Sequence, residues 1–577
     1  RQAHHALTHH EAHIVKAGDV NGDGLDDIVI RRNERDPYVE PGRIDDGIVV
    51  DQPSRENFGL KEAYVFLSTG NGFVTPSVSG FPVIPALKAG EYTGFEDYDA
   101  NGLIDFLQGD DAGDARWFSD GTAANLLTGL TTAYGGEIDV TYEPSIVVWS
   151  GNNKKRRPIV QHLVDRITVS DGRGQSRATS YSYVDNAYDY ENRRPLGFRT
   201  VTAQLPAIAG ESQGPQIVTT YLNSHFAERG LVKSRTRIQG GKTYHQVIND
   251  WGFLGKSGTG PVRPLKSRTR VKRDTGPITV ETTTKFGWTN YGAKVNVTEL
   301  GFTNNGTDLD ASDNIVTNYN YWPNLNKYLV RLPGRKRVVA GSTYVTDRTK
   351  FLSEELYYYE GNSSVGNPPN NPNMRWVRSW NGNTSGSVVY DSLDKYEYDS
   401  YGNVTKHIDP RGNATTYAYD TSKHLFRVRE TNALGHVINT AWNNSCQAPN
   451  TVTDANGLVT SYTYDAYCRE TLADVPGGNW HATAYVNFGN AGTQYIRKRA
   501  RSPQGDWGTK RWEGREYFDG LGQTYKSATT GNTSAEADFI VTLKAFDQRG
   551  NTTWESIPLS WSAAGSSLTN SQKRRYS

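Results

Sequence analysis

The chain of 577 residues carries 63 basic and 62 acidic side chains, a net charge of +1 that gives no general attraction to nucleic acid or an anionic membrane. Its length exceeds one ordinary core, no apolar run approaches the roughly 18 residues of a membrane-crossing helix, and two cysteines supply no disulfide framework. With 34 Tyr, 13 Trp and 58 Gly against a single Met, and almost no long 3.6-residue apolar pattern, the composition predicts an all-β protein of several domains or repeats.

The opening RQAHHALTHH lacks the basic-then-apolar order of a signal peptide, and both ends read as those of a piece of something larger. His9 and His13, within a crowd that includes His4, His5 and His10, have the i, i+4 spacing of a metal pair on a helix; a polar lead-in to the first strand is the plainer reading. Two copies of one acidic loop follow. Asp19, Asn21, Asp23 and Asp27 in the first, and Asp97, Asp99, Asn101 and Asp105 in the second, fit D-x-[DN]-x-[DN]-G-x-x-D. That alternation sets oxygen ligands around a hard cation, and Gly24 and Gly102 permit the sharp reversal. The glutamate of an EF-hand is missing, with Ile30 and Gln108 in its place, and β-leaning segments flank both loops. The loops are therefore predicted to bind Ca2+ in the manner of β-propeller blades, against the alternative of metal-free Asp-Gly and Asn-Gly turns.

Residues 1–120 thus read as calcium-loop, blade-like units, the C-terminal part of a propeller. Within them 64–73 predicts a strand, an Asn-Gly turn and the next strand, and 31–57 a charged surface insertion. Residues 121–390 form a large antiparallel region, with hairpins around Gly135-Gly136 and Asp171-Gly172-Arg173-Gly174. Glu191-Asn192-Arg193-Arg194 suggests a salt-bridged corner rather than an anion site, and Lys154-Lys155-Arg156-Arg157 a solvated loop.

From 391 to 577 a repeat appears: Tyr-Asp-x-x-Gly, a strand, Asp-x-x-Gly, a strand, then Tyr-x-Tyr-Asp. Gly412, Gly435 and Gly457 are 23 and 22 residues apart, and each unit reads as one β-hairpin that buries its faces against its neighbours. A short helical stretch near Ser534 to Phe539 runs into a better strand at Ile540 to Leu543. Cys446 and Cys468 hold matching places in successive repeats. Two strand spacings put such positions about 9.6 Å apart, beyond the ~7 Å that a disulfide bridges, so unbridged thiols are expected.

These repeats resemble the Rhs/YD repeat. The ordered series GDVNGDGLDDIV, NLLTGL, ENRRPLGF and REYFDGLG resembles, across essentially the full length, the B component of bacterial Tc toxin complexes and the Salmonella virulence plasmid B-like proteins. The resemblance implies partial FG-GAP-type β-propeller blades followed by a YD-repeat hairpin spiral, the wall of an Rhs cage. It implies a non-catalytic shell and gate, enclosing a toxic C-terminal cargo segment, docking to a pore-forming translocation subunit, and secreted or displayed at a bacterial cell surface. The Rhs core and its self-cleaving aspartates find no match, and no G-x-S-x-G, H-E-x-x-H or cysteine–base pair points to an enzyme. The alternative is an extracellular YD-repeat adhesion or filament-forming protein.

Overall fold

A computed structural model gives the architecture. It describes residues 126–145, 161–189, 191–253, 261–272, 279–343, 345–360, 365–383, 388–501, 511–531 and 535–576, together with nine strands from His13–Gly18 to Gly113–Trp117. The chain divides into two compact units, Arg1–Leu130 with Asp139–Ile167, and Thr131–Ile138 with Thr168–Ser577.

In the first unit, His13–Gly18 pairs with Asp27–Arg35, and Tyr92–Glu96 pairs with Asp105–Asp110, both antiparallel. The pairs that close these hairpins, Gly18↔Asp27 and Glu96↔Asp105, bracket the two acidic loops identically. Strands therefore flank both loops, as expected from their β-leaning neighbours. Phe58–Ser68 pairs antiparallel with Phe73–Val74, and the predicted Asn-Gly turn between them lies outside the described residues. The charged segment after Ile30 departs from expectation at its start: Arg31 to Arg35 extend the strand and pair with Phe58–Ser68, because the backbone ladder continues past Ile30. His13 begins a strand, so the helical pairing with His9 has no footing there.

The dominant feature is a 31-stranded sheet whose strands follow one another in sequence order, from Gly129–Thr131 to Lys573–Arg575. It is all antiparallel hairpins, and it runs through residue 390 without a break, Trp376 pairing with Lys395. Both predicted early hairpins are present, with Glu137–Pro144 following the Gly135-Gly136 turn and Ser176–Asp189 following Asp171–Gly174. Near the C-terminus, Glu536–Asp538 is a 3-10 turn leading into the strand Ile540–Phe546. Local turn chemistry accounts for this order: each Gly or Asp-x-x-Gly reversal sends the chain straight back along its own last strand.

A sheet one layer thick buries little. Tyr517, Ala528, Phe539 and Val541 form one small apolar cluster, covered by Trp561 and Ala564 of the short helix Trp561–Ala564. Many other buried positions are polar, among them Glu354, Gln494, Asn314 and Thr283, each 1% exposed or less. Such groups persist only when hydrogen-bonded, so satisfied polar networks do much of what an apolar core does elsewhere. The corner at 189–194 shows this on a small scale. Asp189 accepts the backbone N–H groups of Glu191 and Asn192 and the Asn192 amide, while the Arg194 guanidinium lies 4.7 Å from the Phe226 ring. The corner is hydrogen-bonded rather than salt-bridged, because Asp189 is already filled by its own turn.

Candidate functional site, the repeat turns and the seam

The Tyr-Asp signature has a physical meaning at each turn. The register of the strand Tyr390–Tyr398 shifts at its last step, and the displaced Tyr398 donates its hydroxyl to the Met374 carbonyl at 2.5 Å. Tyr419 reaches Val404 at 3.1 Å and Tyr464 reaches Pro449 at 2.6 Å, each after the same kind of shift. Trp442 performs this bond with its indole N–H, to the Arg427 carbonyl at 2.9 Å. Each closing aromatic therefore staples its strand to the start of the preceding one, a bond worth about 1 kcal/mol net.

The aspartate that follows closes the turn. Asp399 accepts the backbone N–H groups of Tyr401 and Asn403 and the Asn403 amide, and Gly402 supplies the left-handed backbone at φ +88°. Asp409 and Asp547 repeat the pattern with Asn413 and Asn551. Asn413 side-chain and backbone donation holds Asp409 below the ordinary carboxylate value. Burial opposes the shift at Asp399 and Asp547, but the same donors win and both are lowered. A depressed carboxylate stabilises the fold above its unfolded pKa and loses that contribution as pH falls, so these turns weaken below about pH 4.

Successive turns of the strip meet along a seam inside the second unit. Thr132 Oγ1 donates to the Gly520 carbonyl at 2.5 Å, across 388 residues of sequence, and Gly520 N donates to the Asp171 carbonyl at 2.6 Å. Gln494 Nε2 donates to the Tyr134 carbonyl at 2.6 Å, 360 residues away. Arg549 Nη2 pairs with Glu211 Oε1 at 2.6 Å, 338 residues away. In strand order, the turns after the first, third and fifth strands meet those after the twenty-fourth, twenty-sixth and twenty-eighth, an offset of 23 strands, and the Thr132–Gly520 bond also ties the first of these turns to the one after the twenty-sixth strand, an offset of 25. The strip thus returns on itself regularly, turn tip on turn tip.

Glycine makes the approach close enough. A Cβ on Gly520 would lie 2.5 Å from Gly136 N and 2.7 Å from the Asp171 carbonyl oxygen, so backbone passes where any side chain would sit. Arg173 covers the Tyr525 ring at 3.3 Å, and the Tyr134 ring lies 5.5 Å from Phe488 and 6.0 Å from Phe518. Gln494 stands outside the sequence reading, and Gly520 enters it only as part of REYFDGLG, because nothing in their spacing marks either as a seam residue.

Cys446 and Cys468 form a disulfide, their Cα atoms 5.1 Å apart, in place of the unbridged thiols that strand spacing predicts. Both lie in turns, beyond Val437–Asn443 and Val459–Tyr464, where no ladder fixes the spacing. Gln447 and Cys468 take left-handed φ values of +52° and +61°, and neighbouring turns lean together. The bridge spans 22 residues and ties adjacent hairpins. Replacing both cysteines with serine is expected to lower stability by about 3 kcal/mol, read as an earlier urea midpoint with and without reductant.

Of the eight predicted calcium ligands, Asp27 and Asp105 are the first residues of strands, and Asp19, Asn21, Asp23, Asp97, Asp99 and Asn101 lie outside the described residues. Lys154 to Arg157 also lie outside them. Among the described residues no group of three or more His, Cys, Asp or Glu is placed to hold a metal ion. No helix of the described residues is long and apolar enough to cross a membrane.

The insecticide toxin TcdB middle/N-terminal region matches residues 116–229, and the RHS repeat matches residues 398–437. Over these two segments the chain is similar to a Tc toxin B component and to an RHS repeat. The 116–229 match covers the ENRRPLGF corner and the first seam turns, and the 398–437 match covers the Tyr398 and Tyr419 staples. Among solved structures, TcdB2-TccC3 superposes with a TM-score of 0.67 at 11% identity, over 95% of this chain and 38% of that one. TcdB2-TccC3 without its hypervariable C-terminal region gives 0.66 at 11%, over 95% and 40%. A Photorhabdus luminescens Tc holotoxin pore gives 0.65 at 11%, over 94% and 37%. At that identity these structures establish the shared all-β fold, and the chain spans about two fifths of their length. No curated protein matches the chain.

Proposed function

We propose that this chain is the non-catalytic shell and gate of an Rhs/Tc-type toxin, with the hairpin strip as wall and the acidic-loop unit as part of the gate. The observation that carries this reading is the seam: a strip whose tips meet again after 23 to 25 strands builds a curved wall rather than a flat array. An enclosed chain is shielded from proteases and denied the neighbours it needs to fold. The partners are then a toxic C-terminal cargo segment within and a pore-forming translocation subunit outside, in keeping with the TccC3-containing and holotoxin-pore assemblies among the similar structures. The Cys446–Cys468 bridge fits an oxidising, extracellular setting, so secretion or surface display belongs to the same reading.

Single-particle cryo-electron microscopy of the full-length protein tests it. A hollow capsule with internal density supports enclosure, whereas an open β array or end-to-end polymers overturns it in favour of an adhesion or filament role. Within the same reading, Asp19, Asn21, Asp23 and Asp27, and Asp97, Asp99, Asn101 and Asp105, hold Ca2+ and stiffen the gate. Titration calorimetry is expected to find two sites with micromolar to millimolar affinity, and Asp19→Asn with Asp97→Asn to abolish both. Unchanged heats in that double variant would sink the calcium assignment.

A further inference from the structure

The turns at Asp171, Asp454 and Asp519 lack a side-chain bond that their neighbours make, and of the three aspartates only Asp519 is buried. At Asp399, Asp409 and Asp547, one carboxylate oxygen takes two backbone N–H groups, and the other takes the amide of the residue four further on, at 2.9, 2.8 and 3.0 Å. Arg469 does the same for Asp465 at 2.7 Å. At Asp519, Oδ1 accepts Leu521 N and Gln523 N as usual, but the residue four further on is Gln523, whose amide donates to the Gly550 carbonyl at 3.0 Å. Asp519 Oδ2 therefore has no hydrogen-bond partner among the described residues, in a side chain that is 3% exposed.

This turn is also one of those that make the seam. Gly520 supplies both its N–H to Asp171 and its carbonyl to Thr132, and the Asp519 carbonyl accepts from Gln494. The charged groups around Asp519 are Asp171 and Arg173 from the facing turn, Arg177 beyond it, Lys526 on Thr524–Thr529, and Lys544 and Asp547 from the next hairpin. All border, with Asp519, a cavity of about 550 Å3 that gives water and protons access.

We propose that Asp519 is a proton-operated latch of the seam. Protonated, its Oδ2 carries an O–H that no longer repels the Asp171 carboxylate and is free to donate across the seam. Ionised, it is a charge on a residue that is 3% exposed, with one oxygen that no described protein group reaches, beside a like charge, in a turn whose backbone joins the two layers. The side-chain energetics agree. Burial raises Asp519 above the ordinary carboxylate value, with a smaller push from Asp171, and the Gln523 and Leu521 backbone N–H groups and Arg173 only partly offset it, whereas Asp399, Asp409, Asp465 and Asp547 are all lowered. The sign follows from the raised value. The closed seam binds the proton more tightly than an open one, so its contribution to closure is full below the open-state carboxylate value and is lost as pH rises through the raised pKa. This is opposite in direction to the other repeat turns.

Hydrogen–deuterium exchange of the full chain between pH 5 and 8, corrected for intrinsic rates, tests the latch at Gly520 and in peptides covering 131–138 and 487–494. Wild-type protection is expected to fall with rising pH, and Asp519→Asn to remove that dependence. Gln523→Asn restores the missing amide and is expected to move the midpoint down by about one pH unit, equivalent to about tenfold in closure at a fixed pH. The idea is overturned if wild type and D519N lose protection in parallel, or if the midpoint in Q523N stays where it is. The second variant decides the matter even where the first does not fold.

Discussion

Replacing Glu354 with alanine is expected to cost about 3–5 kcal/mol of stability, the largest effect of any single substitution in the sheet. Glu354 is 1% exposed and faces Arg337 in register. Its Oε1 accepts from Arg337 Nε at 2.8 Å and Nη2 at 2.5 Å, and lies 3.5 Å from Arg335 Nε. Its Oε2 accepts the Tyr390 hydroxyl at 2.5 Å from two strands away. Burial, and then this bond, push Tyr390 up to about 12, so the phenol stays a donor throughout the physiological range. Alanine leaves two guanidinium groups facing each other without the carboxylate between them, and the Tyr390 hydroxyl with a lost acceptor. The penalty comes from stranding charges, not from losing a favourable pair. Removing the charges together, as Glu354→Leu with Arg337→Met, is therefore expected to restore most of the loss. Urea midpoints of the three proteins check this, and equal loss in single and double variants would show that packing, not charge, governs the site.

What was legible in the sequence is what depends on neighbours along the chain. The hairpins at Gly135-Gly136 and Asp171–Gly174, and the Tyr-Asp turns from Tyr398 onward, follow from turn chemistry a few residues long. So does the framing of both acidic loops by paired strands. The seam was not legible, because which turns meet depends on how many strands complete one circuit, a sum of small twists over some 350 residues. The disulfide was misread for a related reason: strand spacing was applied to two residues that sit in turns. Gln523 is the instructive middle case. Its departure from the Asn of Asn403, Asn413 and Asn551 is visible in the sequence, but its meaning needs Gly550 and Asp171 in place.

Gln494 is expected to be the second most sensitive position, with Gln494→Leu costing about 2–4 kcal/mol and opening the seam. Its side chain is fully buried, and its amide nitrogen lies within hydrogen-bonding distance of three carbonyls: Tyr134 at 2.6 Å, Asp519 at 3.1 Å and Phe518 at 3.2 Å. Its amide oxygen accepts Gly489 N at 3.1 Å. One residue thus satisfies the backbone of three turns, two on its own layer and one on the layer 360 residues earlier. Leucine has nearly the same size but neither donor nor acceptor, so the carbonyls and the Gly489 N–H would stay buried without partners. Water can reach them only if the turns part. The loss should therefore appear first as faster amide exchange in 131–138 and 519–523, ahead of any change in the urea midpoint of the whole chain. Gln494→Glu separates geometry from charge. It keeps the acceptor for Gly489 but turns the donor into a carboxylate facing three carbonyl oxygens, and it is expected to open the seam at neutral pH and close it again as acid restores a proton. A seam that exchanges no faster in Q494L than in wild type would mean that the glycine contacts alone hold the layers together.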